Sequence, residues 1–236
     1  MEHFTFQPIG FIESCYPARF GTPRQAGLVP EAWAVLRLRP ELSLAEALDG
    51  LEGFTHVWIV FVFHKNKNRR ALTKVKPPRL EGRKAGVFAT RTPHRPNPIG
   101  LSAVRLERIH GNNIYLSGVD FVDGTPVLDL KPYVPFADAI LDAKSEWAPA
   151  PPPHALTVDM VAPASKELEI LRPQDAARMQ RLIEQTIRLD PRASFLKGTA
   201  EAPNPYTNRY GFYLEDLNVV FRVDGAQATV IKVEAR

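Results

Sequence analysis

The 236-residue sequence predicts a mainly β protein: a small β-barrel or sandwich followed by a small α+β C-terminal domain. Three observations carry that reading. Short apolar or alternating runs recur through the first two-thirds of the chain, punctuated by prolines and glycines and almost free of helical periodicity. A proline-rich break then follows, Ala148-Pro-Ala-Pro-Pro-Pro-His154, whose prolines cannot donate to a ladder and favour extended backbone. Beyond the break a 3.6-residue period takes over and gives way to two strand-like runs. The boundaries drawn are 1–147 for the barrel domain, 148–154 for the linker and 155–236 for the α+β domain.

Taken in order, Phe4–Ile12 reads as a first strand, and Trp33–Leu38 as a half-buried one because apolar and polar residues partly alternate. His56-Val-Trp-Ile-Val-Phe-Val-Phe63 is β-branched and aromatic with almost no polar interruption, which predicts burial on both faces. Leu44–Gly50 fits one short helix stopped by glycine. Strands are expected at Gly86–Thr90, Ser102–Arg108 and Ile114–Val119. In the C-terminal part, Leu156–Val161 reads as a strand. Arg172–Leu189 reads as a helix with Pro173 in its first turn and Met179, Leu182, Ile183 and Ile187 on one face. Leu217–Val223 and Ala228–Val233 close the chain around the turn at Asp224-Gly225.

Composition excludes several classes. With 44% hydrophobic and 24% charged residues the chain can bury a globular core, so collagenous, coiled-coil and disordered readings fall away. A single cysteine, Cys15, permits neither an internal disulfide nor a multi-thiolate metal site, and none of the six histidines pair four residues apart. No metal is expected. The longest strongly apolar run, Val57–Phe63, is far too short to span a bilayer, and the start carries no signal-peptide pattern, so a soluble cytoplasmic protein is expected.

Charge is unevenly spread. Residues 65–110 carry thirteen Lys and Arg against Glu81 and Glu107, a net +11 in a chain whose total is +4, which leaves −7 elsewhere. A basic block in an otherwise acidic chain is the electrostatic footprint of a polyanion partner. Chemistry is less specific. G-x-G-x-x-G, G-x-x-x-x-G-K-[ST], G-x-S-x-G and H-E-x-x-H are all absent. What remains is a set of dense polar loops. Arg19-Phe-Gly-Thr-Pro-Arg-Gln-Ala-Gly27 combines turn formers with an arginine and an amide. Thr90–Gly100 has three prolines within six residues and projects Arg91, His94, Arg95 and Asn97 from a stiff backbone. Gly118–Pro135 carries Asp120, Asp123 and Asp129, which read first as an ordinary turn and otherwise as carboxylates for acid–base work or a divalent ion. His64 ends the apolar strand and is either a strand cap or a base.

Phe20-Gly-Thr-Pro-Arg-Gln25, Leu51-Glu-Gly-Phe-Thr-His-Val-Trp58, Gly86-Val-Phe-Ala-Thr-Arg91, Arg95-Pro-Asn-Pro-Ile-Gly-Leu101 and Asp120-Phe-Val-Asp-Gly-Thr-Pro126 through Asp129-Leu-Lys-Pro-Tyr133 together closely resemble the TsaA/YaeB/TrmO family, in the same order and spacing over about residues 4–140. Leu214-Glu-Asp-Leu-Asn-Val219 resembles the extra domain of its bacterial members. The resemblance implies a β-barrel that binds S-adenosylmethionine (SAM) without a Rossmann unit, a homodimer, and methylation of N6 of N6-threonylcarbamoyladenosine beside the tRNA anticodon. It further implies that Pro23, Arg24, Gln25, His64, Lys65, Arg91, Leu101, Asp120, Val122, Asp123, Gly124 and Thr125 line the cofactor site. One departure stands out: where family members read D-P-R-P-x-Y, this chain has Asp190-Pro-Arg-Ala-Ser-Phe195.

Such an acceptor nitrogen is delocalised into a carbonyl and a purine, so transfer needs in-line placement and removal of a proton. Asp123, Asp120 and His64 are the base candidates, in falling order. Lys67, Arg69, Arg70, Arg83, Lys84 and Arg95, with Lys65, are expected along the phosphates of the anticodon stem-loop, positioning it without reading sequence. Three other readings fit parts of the sequence: a SAM enzyme acting on another RNA nucleoside or a small acceptor, an RNA-binding module without catalysis, and a metal-dependent phosphohydrolase.

Overall fold

The computed structural model describes residues 4–42, 44, 46–66, 72–80, 82–150, 156–192 and 208–236. The chain divides into two compact units that are not simple halves. One, the barrel unit, comprises 1–13, 34–117 and 124–151; the other comprises 14–33, 118–123 and 152–236.

The barrel closes on six strands: β1 (Gly10–Ser14), β2 (Trp33–Leu38), β3 (His56–Val62), β6 (Ile99–His110), β7 (Asn113–Ser117) and β8 (Pro126–Pro132), in the order β1-β2-β7-β6-β3-β8. A short ribbon of β4 (Lys74–Val75) and β5 (Ala85–Gly86) stands in the long β3–β6 connection, and one helical turn, α1 (Pro135–Asp138), follows β8. The second unit packs α2 (Ala162–Leu171) and α3 (Ala176–Arg188) with a sheet ordered β10 (Arg209–Leu214), β11 (Leu217–Asp224), β12 (Gln227–Ala235) and β9 (Thr157–Met160). Only the β9–β12 pair is parallel in that sheet.

Alternation fills the barrel. Val57, Ile59 and Phe61 of β3, Val104 and Leu106 of β6, Ile114 and Leu116 of β7 and Val127 of β8 are all buried. Trp58, Val60 and Val62 are only half-buried, so β3 is not enclosed on both faces as its composition suggested. An antiparallel barrel strand has one interior face, whatever its outward residues. Gly100 on β6 sits opposite Phe61 of β3, and a methyl group there would overlap the Phe61 ring. A glycine is needed where that ring crosses the neighbouring strand.

Several elements differ from their sequence expectation. The first strand begins only at Gly10, and Phe4 and Phe6 are exposed. Within the expected helix Leu44–Gly50, Glu46–Leu48 forms a 3₁₀ turn, with Gly50 left-handed at φ 80° before a second turn, Leu51–Gly53. Of Gly86–Thr90, only Gly86 joins a strand; Val87–Ala89 is a 3₁₀ turn because Val87 alone faces the core. The helix expected over Arg172–Leu189 starts at Ala176, and Pro173 lies in the turn that separates it from α2. α3 buries Met179, Leu182, Ile183 and Ile187, the face that the periodicity marks.

Candidate active site

The barrel topology gathers loops at one end. β3 runs antiparallel to both β6 and β8, with Val62 opposite Ile99 and Phe61 opposite Val127, while β1 meets β8 with Phe11 opposite Pro126. The end of β3 and the starts of β6 and β8 therefore coincide. His64 and Lys65 follow β3, Leu101 lies early on β6, and Gly124 and Thr125 precede β8. The turn Gly124-Thr125 is tied to β1 by two backbone bonds, Gly124 N–H to Ile12 O (2.8 Å) and Ile12 N–H to Thr125 O (2.9 Å). Gly124 is left-handed (φ 76°), and a Cβ built on it would lie 3.7 Å from His64 Nε2. The bare backbone thus faces the imidazole closely, as a ligand cradle requires. Leu101 is half exposed, an apolar contact at the same end.

The proline-stiffened loop reaches this end as well. Phe63 N–H donates to Pro98 O (2.8 Å) and Asn66 Nδ2 donates to Pro93 O (3.0 Å), fastening the residues beside His64 to the segment that carries Arg91. Arg91 is exposed. Arg83 and Lys84 are exposed too, whereas Lys67, Arg69 and Arg70 lie outside the described residues. Arg95 is held differently from the free cation that its sequence suggests. Its Nη1 donates to Thr90 O (2.7 Å) and Val87 O (3.2 Å), and the guanidinium carbon stands 5.7 Å from the centre of the Phe88 ring.

In the other unit, segments 14–33 and 118–123 are joined by Gly27 N–H to Gly118 O (2.7 Å) and Gly118 N–H to Ala32 O (2.8 Å). They hold the remaining residues that the resemblance assigns to the cofactor: Pro23, Arg24 and Gln25 on one, Asp120, Val122 and Asp123 on the other. Asp123 is fixed at both its backbone and its side chain, since its N–H donates to Tyr16 O (2.8 Å) and its Oδ1 accepts from Ser14 N–H (3.0 Å). Ser14 Oγ in turn donates to Phe121 O (2.8 Å). Pro23 is buried, Arg24 exposed and Asp120 half-buried. Gly21 turns the loop at φ 96° against the Phe212 ring, where a Cβ would come within 2.7 Å.

Sequence reading missed a cleft of ≈ 570 Å³ in this unit, lined by Arg19–Arg24 on one side and Thr186, Leu189, Asp190 and Pro191 on the other. Asp190 is left-handed (φ 50°) and buried, and its carboxylate binds Arg192 within two residues, Nε to Oδ1 at 2.7 Å and Nη2 to Oδ2 at 3.1 Å. The departure from D-P-R-P-x-Y thus leaves the ion-paired Asp-Pro-Arg corner in place, while Ala193, Ser194 and Phe195 lie outside the described residues. The D-P-R run was visible in the sequence, but nothing in it marked Thr186 or Leu189. Cys15 is fully buried, and that burial pushes its thiol up to about 12, so it is no nucleophile at neutral pH. Among the described residues, no group of three or more His, Cys, Asp or Glu is placed to hold a metal ion, and no helix is long and apolar enough to cross a membrane.

A closed antiparallel barrel with polar loops collected at one end, and with no dinucleotide-binding βαβ unit among the described residues, defines a class of loop-built ligand sites apart from the Rossmann enzymes. The sequence profile of the tRNA-methyltransferase O N-terminal domain matches residues 11–139, and that of the TrmO C-terminal domain matches 153–236. The chain belongs to the TrmO family. It is 39% identical to the Escherichia coli tRNA (adenine(37)-N6)-methyltransferase, over 100% of both chains. A Pseudomonas aeruginosa protein named as a putative S-adenosylmethionine-dependent methyltransferase, RcsF, is 46% identical over 90% of this chain and 89% of its own. The crystal structure of TrmO from Pseudomonas aeruginosa superposes with a TM-score of 0.79 at 39% identity, covering 100% of this chain and 99% of that one.

Proposed function

We propose that this protein transfers a methyl group from S-adenosylmethionine to N6 of the adenosine at position 37 of tRNA, with N6-threonylcarbamoyladenosine as the acceptor. The observation that carries this is the end-to-end identity with the Escherichia coli enzyme. Both family profiles are present in order, and the fold agrees with a solved TrmO.

The residues proposed to hold the cofactor are those that the resemblance implies: Pro23, Arg24, Gln25, His64, Lys65, Arg91, Leu101, Asp120, Val122, Asp123, Gly124 and Thr125. The bare backbone of Gly124 beside the His64 imidazole and the apolar surface of Leu101 fit a purine nucleoside better than a bare phosphate. When bound, the cofactor supplies a methyl group on a positively charged sulfur. The chain's own part is to place the acceptor nitrogen in line, worth about 7–11 kcal/mol of the barrier when fully realised, and to take up its proton, worth about 10²–10⁴ in rate. Asp123, Asp120 and His64 are proposed for the proton, in that order. The bond from Ser14 N–H to Asp123 Oδ1 supports Asp123, because a base must be held still to be useful.

The tRNA is proposed to dock through Lys67, Arg69, Arg70, Arg83 and Lys84 along its anticodon stem-loop. We propose a homodimer of two barrel units, supported by Phe136, Ile140 and Leu141, which stand 93%, 70% and 97% exposed in one short run after β8. A cytoplasmic location follows from the substrate. The domain division proposed is a SAM-binding barrel over 1–147, a linker over 148–154 and an accessory domain over 155–236.

The test is to incubate protein and SAM with tRNA that carries threonylcarbamoyladenosine, digest it, and weigh the nucleosides. One added methyl on that nucleoside, dependent on both protein and SAM and lost in Arg91→Ala, is the expected result. Methylation of a different nucleoside would move the substrate. No transfer at all, with RNA still bound, would favour the binding-module reading.

A further inference from the structure

We propose that the Phe88 ring is a stacking platform for an unpaired nucleobase of the bound tRNA, and that Arg95 is the positioning residue that holds this platform rather than a phosphate contact. The inference rests on the tRNA reading above and deepens it.

Phe88 is 77% exposed on the 3₁₀ turn Val87–Ala89, three residues before Arg91. Exposed phenylalanine alone is common; the bracing around this one is not. Val87 beneath it is buried and its N–H donates to Thr73 O (3.0 Å). Thr90 Oγ1 donates to Val87 O (2.8 Å), and Arg95 Nη1 bridges Val87 O and Thr90 O across the turn. The turn is thus pinned on both sides, and the ring it carries is held out to solvent with a guanidinium at its flank, 5.7 Å from the centroid. An aromatic face with an arginine beside it is the means by which proteins hold unstacked RNA bases, and it tolerates any base because every base has a π-face.

The surroundings select the partner. Residues 72–95 carry seven Lys and Arg against Glu81 alone. Lys74, Lys76, Arg79, Arg83 and Lys84 are exposed, and among the described residues none of them forms an ion pair with an acid. Cations without an acidic partner attract a phosphodiester backbone. The contrast is the run after β8, where Phe136, Ile140 and Leu141 are equally exposed but stand among Asp138, Asp142 and Glu146 with only Lys144 of opposite sign. A polyanion is repelled there and drawn to Phe88.

The role of Arg95 follows from the same geometry. Its Nη1 is already committed to two carbonyl oxygens, so that edge of the fork is not offered to a phosphate. A lysine could bring a point charge to the two carbonyls but not a planar guanidinium to the Phe88 ring.

The experiment measures binding of an anticodon stem-loop RNA at several salt concentrations for wild type, Phe88→Leu, Phe88→Trp, Arg95→Ala and Arg95→Lys. SAM affinity by calorimetry, sedimentation and a thermal melt are run on each. Phe88→Leu is expected to bind the stem-loop about 5- to 100-fold more weakly, with Phe88→Trp near wild type. The salt slope should stay unchanged in both, because no phosphate contact is lost. Arg95→Lys should be as weak as Arg95→Ala, again at unchanged slope. Wild-type binding by Phe88→Leu overturns the proposal, as does a change in its oligomeric state, which would place the ring against a second copy of the chain. Rescue by Arg95→Lys, with a slope reduced by about one in Arg95→Ala, would restore Arg95 as a phosphate contact. Should the wild type methylate its tRNA while Phe88→Leu binds normally, this inference alone fails; should the wild type neither bind nor methylate, the functional reading fails and takes the inference with it.

Discussion

The two compact units use charge in opposite ways. In the C-terminal unit Arg172, Arg178, Arg181, Arg188 and Arg192 are paired with acids. Glu215, at the left-handed turn between β10 and β11 (φ 53°), accepts from Trp33 Nε1 (2.6 Å), Arg172 Nη2 (2.7 Å) and Arg178 Nη2 (3.1 Å). Asp190 and Arg192 form a second pair, with side chains 6% and 9% exposed. In the barrel unit the described cations between β3 and β6 stand in solvent, Arg95 apart, and Arg79 and Arg95 donate to carbonyl oxygens rather than to acids. The difference separates charge that maintains a fold from charge kept available for a partner. Breaking the first should cost stability; breaking the second should cost binding.

The largest effect is expected at the buried pair. Asp190→Asn keeps the shape and tolerates the left-handed backbone, but leaves the Arg192 guanidinium buried without a countercharge. It should destabilise the C-terminal unit by about 3–5 kcal/mol in urea unfolding. Replacing both partners at once, Asp190→Asn with Arg192→Met, should recover much of that loss, since no buried charge is then stranded. A single-variant loss under about 1 kcal/mol would mean that the pair is effectively solvated, and the contrast between the units would narrow.

Next comes packing in the barrel. Gly100→Ala drives a methyl group into the Phe61 ring across the β3–β6 pair, an overpacking worth about 1–3 kcal/mol. Combined with Phe61→Leu, which vacates the space, the cost should be less than the sum of the two single changes. Denaturant midpoints of the four proteins check this. Simple additivity would show that the ring turns aside without strain.

How much of this was legible in the sequence depends on how local each feature is. β2, β3, β11 and β12 were found because branched and aromatic residues write a strand into a few consecutive positions. α3 was found because four apolar residues keep a 3.6 period. α2 was not, since Ala162-Pro-Ala-Ser-Lys-Glu-Leu-Glu-Ile-Leu171 buries only Ala164 and Leu168 and leaves Ile170 in solvent, so its pattern is faint. β8 is not marked as a strand by its sequence, since Pro126 and Pro132 stand at its two ends, although a missing N–H is tolerated there. The candidate site was legible as contiguous blocks carried by resemblance. That Arg95 reaches back to Thr90 and Val87, or that Thr186 faces the Arg19–Arg24 loop, depends on where side chains go in three dimensions, which no run of letters encodes.

A smaller effect is expected from alkali. Burial raises the Cys15 thiol from 9.0 to about 12 and the Tyr16 phenol well above its usual 10. Both groups titrate later in the folded chain than in the unfolded one. Their contribution is therefore whole below about pH 9 and is lost progressively as pH rises toward 12. At pH 10 the cysteine alone should remove about 1.4 kcal/mol relative to neutral pH. Urea midpoints at pH 7, 9 and 10 check it: the wild type should fall more steeply than Cys15→Ala, and parallel curves would show that the thiol is not sealed in the native state.

The smallest effect belongs to the exposed pairs of the barrel, which carry charge but little structure. Arg37 meets Glu13 at 2.5 Å with side chains 55% and 47% exposed, and its Nη1 also donates to Asn113 Oδ1 at 3.1 Å. Water competes for both ions, so Glu13→Ala should change stability by no more than about 0.5 kcal/mol, and added salt should erase most of that. A double-mutant cycle with Arg37→Ala isolates the pair from the hydrogen bond to Asn113. The short contact distance argues for a stronger bond, but distance alone does not set the energy of a pair that water can reach. If the cycle returned several kcal/mol, close to the value expected at Asp190 and Arg192, burial would not be what distinguishes the two units, and the cations around Phe88 could no longer be read as spare on the ground that they are exposed.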